Sequence, residues 1–192
     1  MASEANVTPK LYELELSTLR VTVKGITPLI CNRYSEDVQG DMEAAQQGGA
    51  KRGKKPRDPE AERKRELYMT DDSRYGFPAG AFKLAMVRAA TDADMKMTDA
   101  RRAFHVIGDI LPIRGAGPFP RTDRVVLGGK TTSIAYRPEF RDWEMDIEIR
   151  YNVRAISAEQ LINLLQLAGF GVGIGAWRPD KKGNFGMFEV KA

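Results

Sequence analysis

A stretch of strict alternation constrains the fold more than any other part of this sequence. Between Trp143 and Val153, every second residue is apolar, and the residues between them are charged or polar. Because the side chains of a strand point alternately to opposite faces, this pattern predicts a strand with one buried face and one hydrated face. Such a strand is typical of an antiparallel sheet that is covered on one side only.

A second alternating stretch near the N-terminus predicts the first strand of the same sheet. Its apolar residues change phase by one position near Ser17, which predicts a β-bulge there. Arg20 and Lys24 fall on the face opposite the later apolar residues. Pro28 then keeps the chain extended toward Arg33 and Tyr34, which we expect beside the end of this strand.

Two core helices are predicted from spacing and capping signals. The first follows Gly80 and places apolar residues from Phe82 onward on one face. The second opens with a capping box at Ser157 and Gln160, and Gly169 is expected to stop it. Between the helices, residues 95–102 are predicted as a polar linker. Short strands are predicted at 67–69, within 104–113, at 124–127, at 131–137 and at 184–191.

This order predicts an α+β fold of the ferredoxin-like (RRM-like) type, which is an antiparallel sheet with two helices on one face. The length of 192 residues fits a single domain over 1–192. A long basic insertion interrupts it, and a glycine-rich loop lies near the C-terminus. The uncovered face of such a sheet often binds single-stranded nucleic acid.

The insertion, residues 35–66, is the first basic feature of the sequence. Five of the seven residues from Lys51 to Arg57 are basic and none is acidic. Nothing in the insertion can bury a core, so we predict a mobile segment whose C-terminal part forms a short helix. Two interpretations stay open for its charge, namely a solvated loop and a phosphate-binding segment.

The glycine-rich loop, residues 169–188, is the second candidate site. Glycines allow φ > 0 and a close approach of the backbone to something bulky or anionic. The pattern is neither a dinucleotide fingerprint nor a Walker loop, because the glycines follow a helix and no Gly-Lys-Ser/Thr closes them. Trp177 and Arg178 suit base stacking and phosphate pairing. The alternative is a tryptophan that covers the end of the sheet.

Composition and residue types argue against several kinds of chemistry. One cysteine and one histidine exclude an intrachain disulfide and the usual zinc sites. His105 and Cys31 are interpreted as structural residues, and Glu144, Asp146 and Glu148 as a solvated strand face. We therefore predict no catalytic constellation, metal or cofactor. No apolar run is long enough for a membrane span, so we expect a soluble, cytoplasmic protein without a membrane partner.

Three stretches together resemble the RAMP superfamily, whose members include backbone and processing subunits of CRISPR RNA-guided complexes. Residues 19–29 look like its opening strand and loop, and residues 77–88 are similar to the signature at the start of its first helix. Residues 173–188 resemble its C-terminal glycine-rich loop. The chain also looks like a group of uncharacterised bacteriophage-encoded proteins of this type, which would place it in a bacterial host cell.

The resemblance implies binding of single-stranded RNA or DNA by subunits that stack along the strand. We expect a non-enzymatic, sequence-tolerant binder whose partners are the nucleic acid, copies of itself and other subunits of an RNA-guided complex. The alternatives are an endoribonuclease of the RNA-processing kind and a phage structural or host-interaction protein. The predicted contact residues are Arg20, Lys24, Arg33, Tyr34, Lys51, Arg52, Lys54, Lys55, Lys83, Arg88, Gly173, Gly175, Trp177, Arg178, Lys181 and Lys182.

Overall fold

The computed structural model describes residues 12–33, 56–127 and 131–191, together with residues 40, 43 and 46. The strands are β1 (Leu16–Gly25), β2 (Leu29–Ile30), β3 (Tyr68–Met69), β4 (Tyr75–Pro78), β5 (Phe104–Val106), β6 (Ile110–Pro112), β7 (Arg114–Leu127), β8 (Thr131–Asn152) and β9 (Phe188–Val190). The helices with described bounds are α1 (Pro59–Arg65), α2 (Ala79–Ala89), α3 (Met97–Ala103) and α4 (Ala158–Leu167).

The main sheet is antiparallel and has the order β9-β1-β8-β5 along its length. With α2 after β1 and α4 after β8, this is the strand order of the β-α-β-β-α-β plan. The predicted α+β class with an antiparallel sheet is therefore confirmed. A smaller antiparallel sheet of β3, β4 and β6 lies beside it.

The core lies between the main sheet and the helices. The alternation of β8 places Trp143 and Ile147 on the buried face, in the same hydrophobic core as Phe82 of α2 and Leu161 of α4. Phe188 of β9 packs edge-on against Phe82 at 5.4 Å and against Trp143 at 6.2 Å between ring centroids. These aromatic contacts join β9 to both layers of the fold.

The predicted capping box is confirmed, because Ser157 Oγ accepts from the Gln160 N–H while the Gln160 side chain accepts from the Ser157 N–H. The predicted stop at Gly169 is wrong. The chain passes from α4 into a π-helical turn, Ala168–Val172, and the left-handed residue is Gly173, with φ 67°. Gly169 has another role, since a side chain there would overlap the Phe188 carbonyl oxygen.

Two further predictions about the sheet and its connections are wrong. β1 pairs with β8 from Leu16 to Lys24 without a register shift, so there is no bulge near Ser17. The phase change arises because Leu16 lies exposed on the same face as Arg20. The predicted linker at 95–102 contains α3, whose buried residues are the small Ala100 and Ala103.

β8 is longer than the alternation alone suggests. Its first half forms a long two-stranded hairpin with β7, which runs from Arg114 to Leu127. Two register shifts between Arg114 and Phe119 accommodate the glycines and prolines of residues 115–120 in this hairpin. The last strand is shorter than predicted, since β9 begins only at Phe188.

The short helix expected at the end of the insertion is present as α1. The Asp58 side chain accepts from the N–H groups of Glu60 and Ala61, at 3.0 and 3.2 Å. None of the helices within the described ranges combines the length and the apolar character that a bilayer crossing requires.

Candidate nucleic-acid interface

A groove of about 730 Å³ lies between α2, the β7–β8 hairpin and the glycine-rich loop. We refer to it as the loop groove. Its volume falls within the range of roughly 300–1,000 Å³ that is typical of ligand pockets. Four cations line it, namely Arg88, Arg137, Arg178 and Lys181. Three aromatic residues also line it, namely Tyr68, Phe77 and Trp177.

The positive charge of the loop groove is only partly compensated. Asp180 is the shared partner of two arginines: Arg178 Nη2 lies 3.2 Å from its Oδ2, and Arg88 Nη1 donates to its Oδ1. The Arg178 side chain also donates to the Gly175 carbonyl at 3.1 Å. One carboxylate thus serves two guanidinium groups, while Lys181 is exposed nearby. Among the described residues that line the groove, none is acidic.

Two donors in the groove wall have no acceptor within the described parts of the chain. Arg137 Nε and Trp177 Nε1 are both buried without a hydrogen-bond partner. Arg137 Nη1 lies 4.0 Å from Asp123, which is a long ion pair. A buried donor without a partner costs free energy, so these two groups favour any rearrangement that supplies an acceptor.

The glycines of the loop meet the protein's own backbone. Gly175 has φ 79°, and a Cβ there would lie 2.6 Å from the Ile30 carbonyl oxygen. A Cβ on Gly183 would overlap the Trp177 carbonyl, and one on Gly186 would overlap that of Ile174. The close approach that glycine permits is therefore used, in this structure, to fold the loop against itself and its neighbours.

Hydrogen bonds fix the loop to the segment that follows β1. The Ala176 N–H donates to the Ile30 carbonyl at 2.9 Å, and the Gly186 N–H donates to the Pro28 carbonyl at 2.8 Å. Trp177 is held at φ 55°, a left-handed conformation that is unusual for a bulky residue. These contacts set the position of Trp177 and Arg178 in the groove wall.

The base of the hairpin wall is fixed by a buried carboxylate. Glu139 is 5% exposed, and both Arg121 and Arg141 donate to it, at 2.8 and 2.7 Å. Burial alone would raise the pKa of Glu139, but the hydrogen bonds from the two arginines hold it below its ordinary value. The Arg121 guanidinium also lies 4.4 Å from the centroid of Phe185, which links the hairpin to the glycine-rich loop.

The open face of the main sheet carries charges of both signs. Arg20 Nε donates to Glu148 at 2.8 Å, and Lys24 lies opposite Glu144. Arg114 holds the pKa of Asp146 below its ordinary value through a hydrogen bond, as does Thr22. The pKa of Glu144 is likewise lowered, first by a hydrogen bond from Lys191.

The remaining candidate residues for chemistry are separate from the loop groove. His105 Nδ1 lies 2.9 Å from Lys83 Nζ, on an exposed part of β5 and α2. Cys31 is fully buried, and burial raises the pKa of its thiol to about 12. Such a thiol is protonated at neutral pH and is a poor nucleophile. Within the described ranges, no cluster of acidic, histidine or cysteine side chains could hold a metal ion.

The structure brings only some of the predicted contact residues together. Those that line the loop groove are Arg88, Gly173, Gly175, Trp177, Arg178 and Lys181. Lys182 and Arg33 are next in sequence to the groove residues Lys181 and Asn32. The predicted contact residues that lie away from the groove are Arg20, Lys24 and Lys83. Residues outside the described part of the chain are Tyr34, Lys51, Arg52, Lys54 and Lys55.

The sequence interpretation missed Tyr68, Arg137 and the hairpin tip at Val125 and Val126, all of which line the groove. The only available signal was that Tyr68 and Arg137 fall in predicted strands. That signal does not tell which way their side chains face.

No protein-family model matches the sequence. No curated protein matches it either. Among solved structures, the chain is similar to the crystal structure of Cmr6 from Pyrococcus furiosus. The superposition has a TM-score of 0.48 at 11% sequence identity, and it covers 93% of this chain and 100% of that one.

Proposed function

We propose that this protein binds single-stranded nucleic acid in the loop groove. The observation that carries the proposal is the composition of the groove lining, which has four cations, three aromatic rings and no acidic residue. Asp180 and Asp123, which lie outside the lining, together pair with three of these cations. Single-strand binders combine a positive groove that follows the phosphates with aromatic rings on which bases stack. The open sheet face, where acids pair with Arg20, Arg114 and Lys191, has less uncompensated positive charge.

Each part of the groove has a role in this proposal. Arg88, Arg178 and Lys181 contact phosphates, since guanidinium and ammonium groups donate charge-assisted hydrogen bonds to them. Trp177 and Tyr68 stack on bases. Because these contacts read charge and ring faces and not base edges, the binding is sequence-tolerant and strongly dependent on salt.

The resemblance to RAMP proteins extends the proposal to assembly. Subunits of that superfamily stack along a strand, so several copies of this chain would occupy a long ligand. Other subunits of an RNA-guided complex are further partners in this proposal. If the copies stack, the number of protein copies in each complex should rise in proportion to the length of the strand. Sedimentation of complexes with short and long oligouridine measures this number.

The binding site is tested by fluorescence anisotropy with labelled oligouridine, oligothymidine and duplex RNA over a range of salt concentrations. Lys181→Ala is expected to weaken single-strand binding about fivefold near 0.1 M salt and to reduce the salt slope by about 0.7, which corresponds to one lost phosphate contact. Lys181 is exposed and its side chain has no role in the core, so the fold should be unchanged.

Lys96→Ala is the matched control, because Lys96 is also an exposed lysine and does not line the groove. It should leave affinity and salt slope unchanged. Arg150 lies on the open sheet face and provides the opposite test. If the salt slope of binding is unchanged in Lys181→Ala but reduced in Arg150→Ala, the ligand binds the open sheet face and the loop groove is rejected.

A further inference from the structure

Within the described part of the chain, one edge of the main sheet is left open along most of β1. β1 pairs with β8 over its length, from Leu16 to Lys24, but it pairs with β9 only at Val23–Gly25. The edge from Leu16 to Val21 therefore has no neighbouring strand among the described residues. Such an edge is a template on which another extended chain can form hydrogen bonds.

The backbone direction on this edge follows from the pairing with β9. The Lys191 N–H donates to the Thr22 carbonyl at 2.9 Å, so the main-chain groups of Thr22 face the β9 side. In an antiparallel ladder, alternate residues face the same side. The N–H and C=O groups of Thr18 and Arg20 therefore face the open edge, and no described residue hydrogen-bonds to them there.

β9 differs from β1 in that its outer edge is partly covered. Gln166 of α4 accepts from the Val190 N–H at 2.8 Å through its side-chain oxygen. No comparable side chain covers Thr18 or Arg20 in the described part of the chain, and the Arg20 side chain is 81% exposed. β1 also lacks the proline or bulge that commonly protects an edge strand.

The chemistry of a fitting strand can be inferred from β9, which occupies the adjoining part of the same edge. Its Phe188 and Val190 lie on the helix side, whereas Glu189 lies on the open face opposite Lys24. Farther along the edge, Leu19 and Val21 are half-buried on the helix side. Arg20 points to the open face, where its Nε donates to Glu148 while most of its guanidinium side chain stays exposed. A strand that continues the line of β9 needs apolar residues beside the first two and an acidic residue beside Arg20.

We propose that the β1 edge binds an extended segment of another protein, with alternating apolar and polar residues and an acidic residue opposite Arg20. The segment runs antiparallel to β1 and adds a strand to the sheet in line with β9. This interface is independent of the loop groove. A protein partner could therefore dock here while nucleic acid occupies the groove.

The probe is the capped peptide acetyl-Val-Glu-Val-Thr-Val-amide, followed by amide hydrogen exchange and NMR titration of the full chain. In the free protein, the Thr18 and Arg20 amides should exchange faster than those of Leu19 and Val21, which bond to β8. Saturating peptide should slow the exchange of the Thr18 and Arg20 amides by about tenfold or more, because they then donate to the new strand.

Thr18→Pro removes one edge donor and should weaken peptide binding about fivefold, the usual effect of one hydrogen bond. Thr18→Val is its matched control, because it keeps the N–H and should bind as the parent does. Since the proline variant could fold poorly, the peptide N-methylated at its glutamate and threonine provides a second test, and it should not bind.

Three results would overturn the proposal. The first is slow exchange of the Thr18 and Arg20 amides in the free monomer, because this would mean that the chain covers its own edge. The second is equal binding of the N-methylated peptide. The third is protection of both amides in a concentration-dependent dimer, since a second copy would then occupy the edge.

Discussion

At the scale of single residues, Glu66 carries an electrostatic cost. Its carboxylate is partly buried beside Cys31 and Tyr68, and its Oε2 has no hydrogen-bond partner within the described ranges. Burial raises the pKa of Glu66 above its ordinary value, although Arg137 and the Arg33 backbone act in the opposite direction. The net direction means that the ionised carboxylate is less favourable in the folded protein than in the unfolded chain.

Replacement of Glu66 by glutamine should therefore stabilise the protein at neutral pH. The folded wild type holds its proton to a higher pH than the unfolded chain, so its stability falls as pH rises through the raised pKa. The Tm of Glu66→Gln should exceed that of the wild type at about pH 7, and the difference should vanish below about pH 4, where both forms are neutral. Thermal melts across this pH range measure it.

Glu60→Gln is the control, since Glu60 is exposed on α1 and its ion pair among the described residues is a surface one with Lys64. It should have little effect on Tm at any pH. A Glu66→Gln variant that is less stable at pH 7 would show that the attraction of Arg137 for the carboxylate outweighs the cost of burial.

The burial of Arg137 could not be predicted from the sequence. In the sequence, Arg137 ends an alternating run and looks like any hydrated strand arginine. In the structure, its side chain is only 15% exposed and its Nε has no partner in the described chain. Burial of this kind depends on which surface packs over the strand, and local periodicity contains no information on that.

At the scale of elements, the glycine-rich loop has a structural explanation that its sequence did not reveal. Positive φ is needed at Gly173, Gly175 and Gly186, whereas Gly169 and Gly183 are needed because a carbonyl oxygen occupies the space of a side chain. The loop thus positions Trp177 and Arg178 through close backbone packing.

Gly183→Ala should therefore destabilise the fold by about 3 kcal/mol or more, because its methyl group would overlap the Trp177 carbonyl. This corresponds to a fall in Tm of roughly 6 °C or more. Gly171→Ala is the matched control in the same loop, since the nearest atom to a Cβ there is Asp92 Oδ2 at 4.0 Å. Its Tm should change little. Equal effects in the two variants would contradict the packing role of Gly183.

Elements with strong local signals were predicted well, and elements that depend on tertiary contacts were not. The second half of β8 and the start of α4 follow from alternation and from the Ser157 capping box. α3 buries only two alanines, and β7 contains glycines and prolines that are untypical of a strand. α3 forms because it packs against α2, and β7 forms because it pairs with β8.

At the scale of the whole molecule, described residues on either side of the basic insertion line the loop groove. Asn32 lies three residues before the insertion and Tyr68 lies two residues after it, and both line the groove. Within the insertion, the Arg57 guanidinium lies 5.1 Å from the centroid of Tyr136 on the hairpin. The sequence could predict the charge of the insertion but not this position, because the hairpin that adjoins it is distant in sequence.

We therefore expect the insertion to add phosphate contacts to those of the groove. Replacement of Lys51, Arg52, Lys54 and Lys55 by alanine should weaken binding uniformly across sequences and lower the salt slope by up to about 0.7 for each lost contact. The Tm should be unchanged, because these residues can bury no core. Anisotropy titrations at several salt concentrations measure the slope. An unchanged slope would favour the alternative, in which the insertion is a solvated loop that does not contact phosphates.

The pairing of β1 with β8 has a consequence for synthesis on the ribosome. The first strand of the sheet finds its neighbour only when residues as far as Asn152 have been made, since Leu16 lies opposite Asn152. At about 5–20 residues per second, the N-terminal strand waits roughly 6–25 s after its own translation before that neighbour is complete. During this interval its apolar side chains stay exposed, so the nascent chain is a candidate for chaperone protection until its C-terminal half emerges.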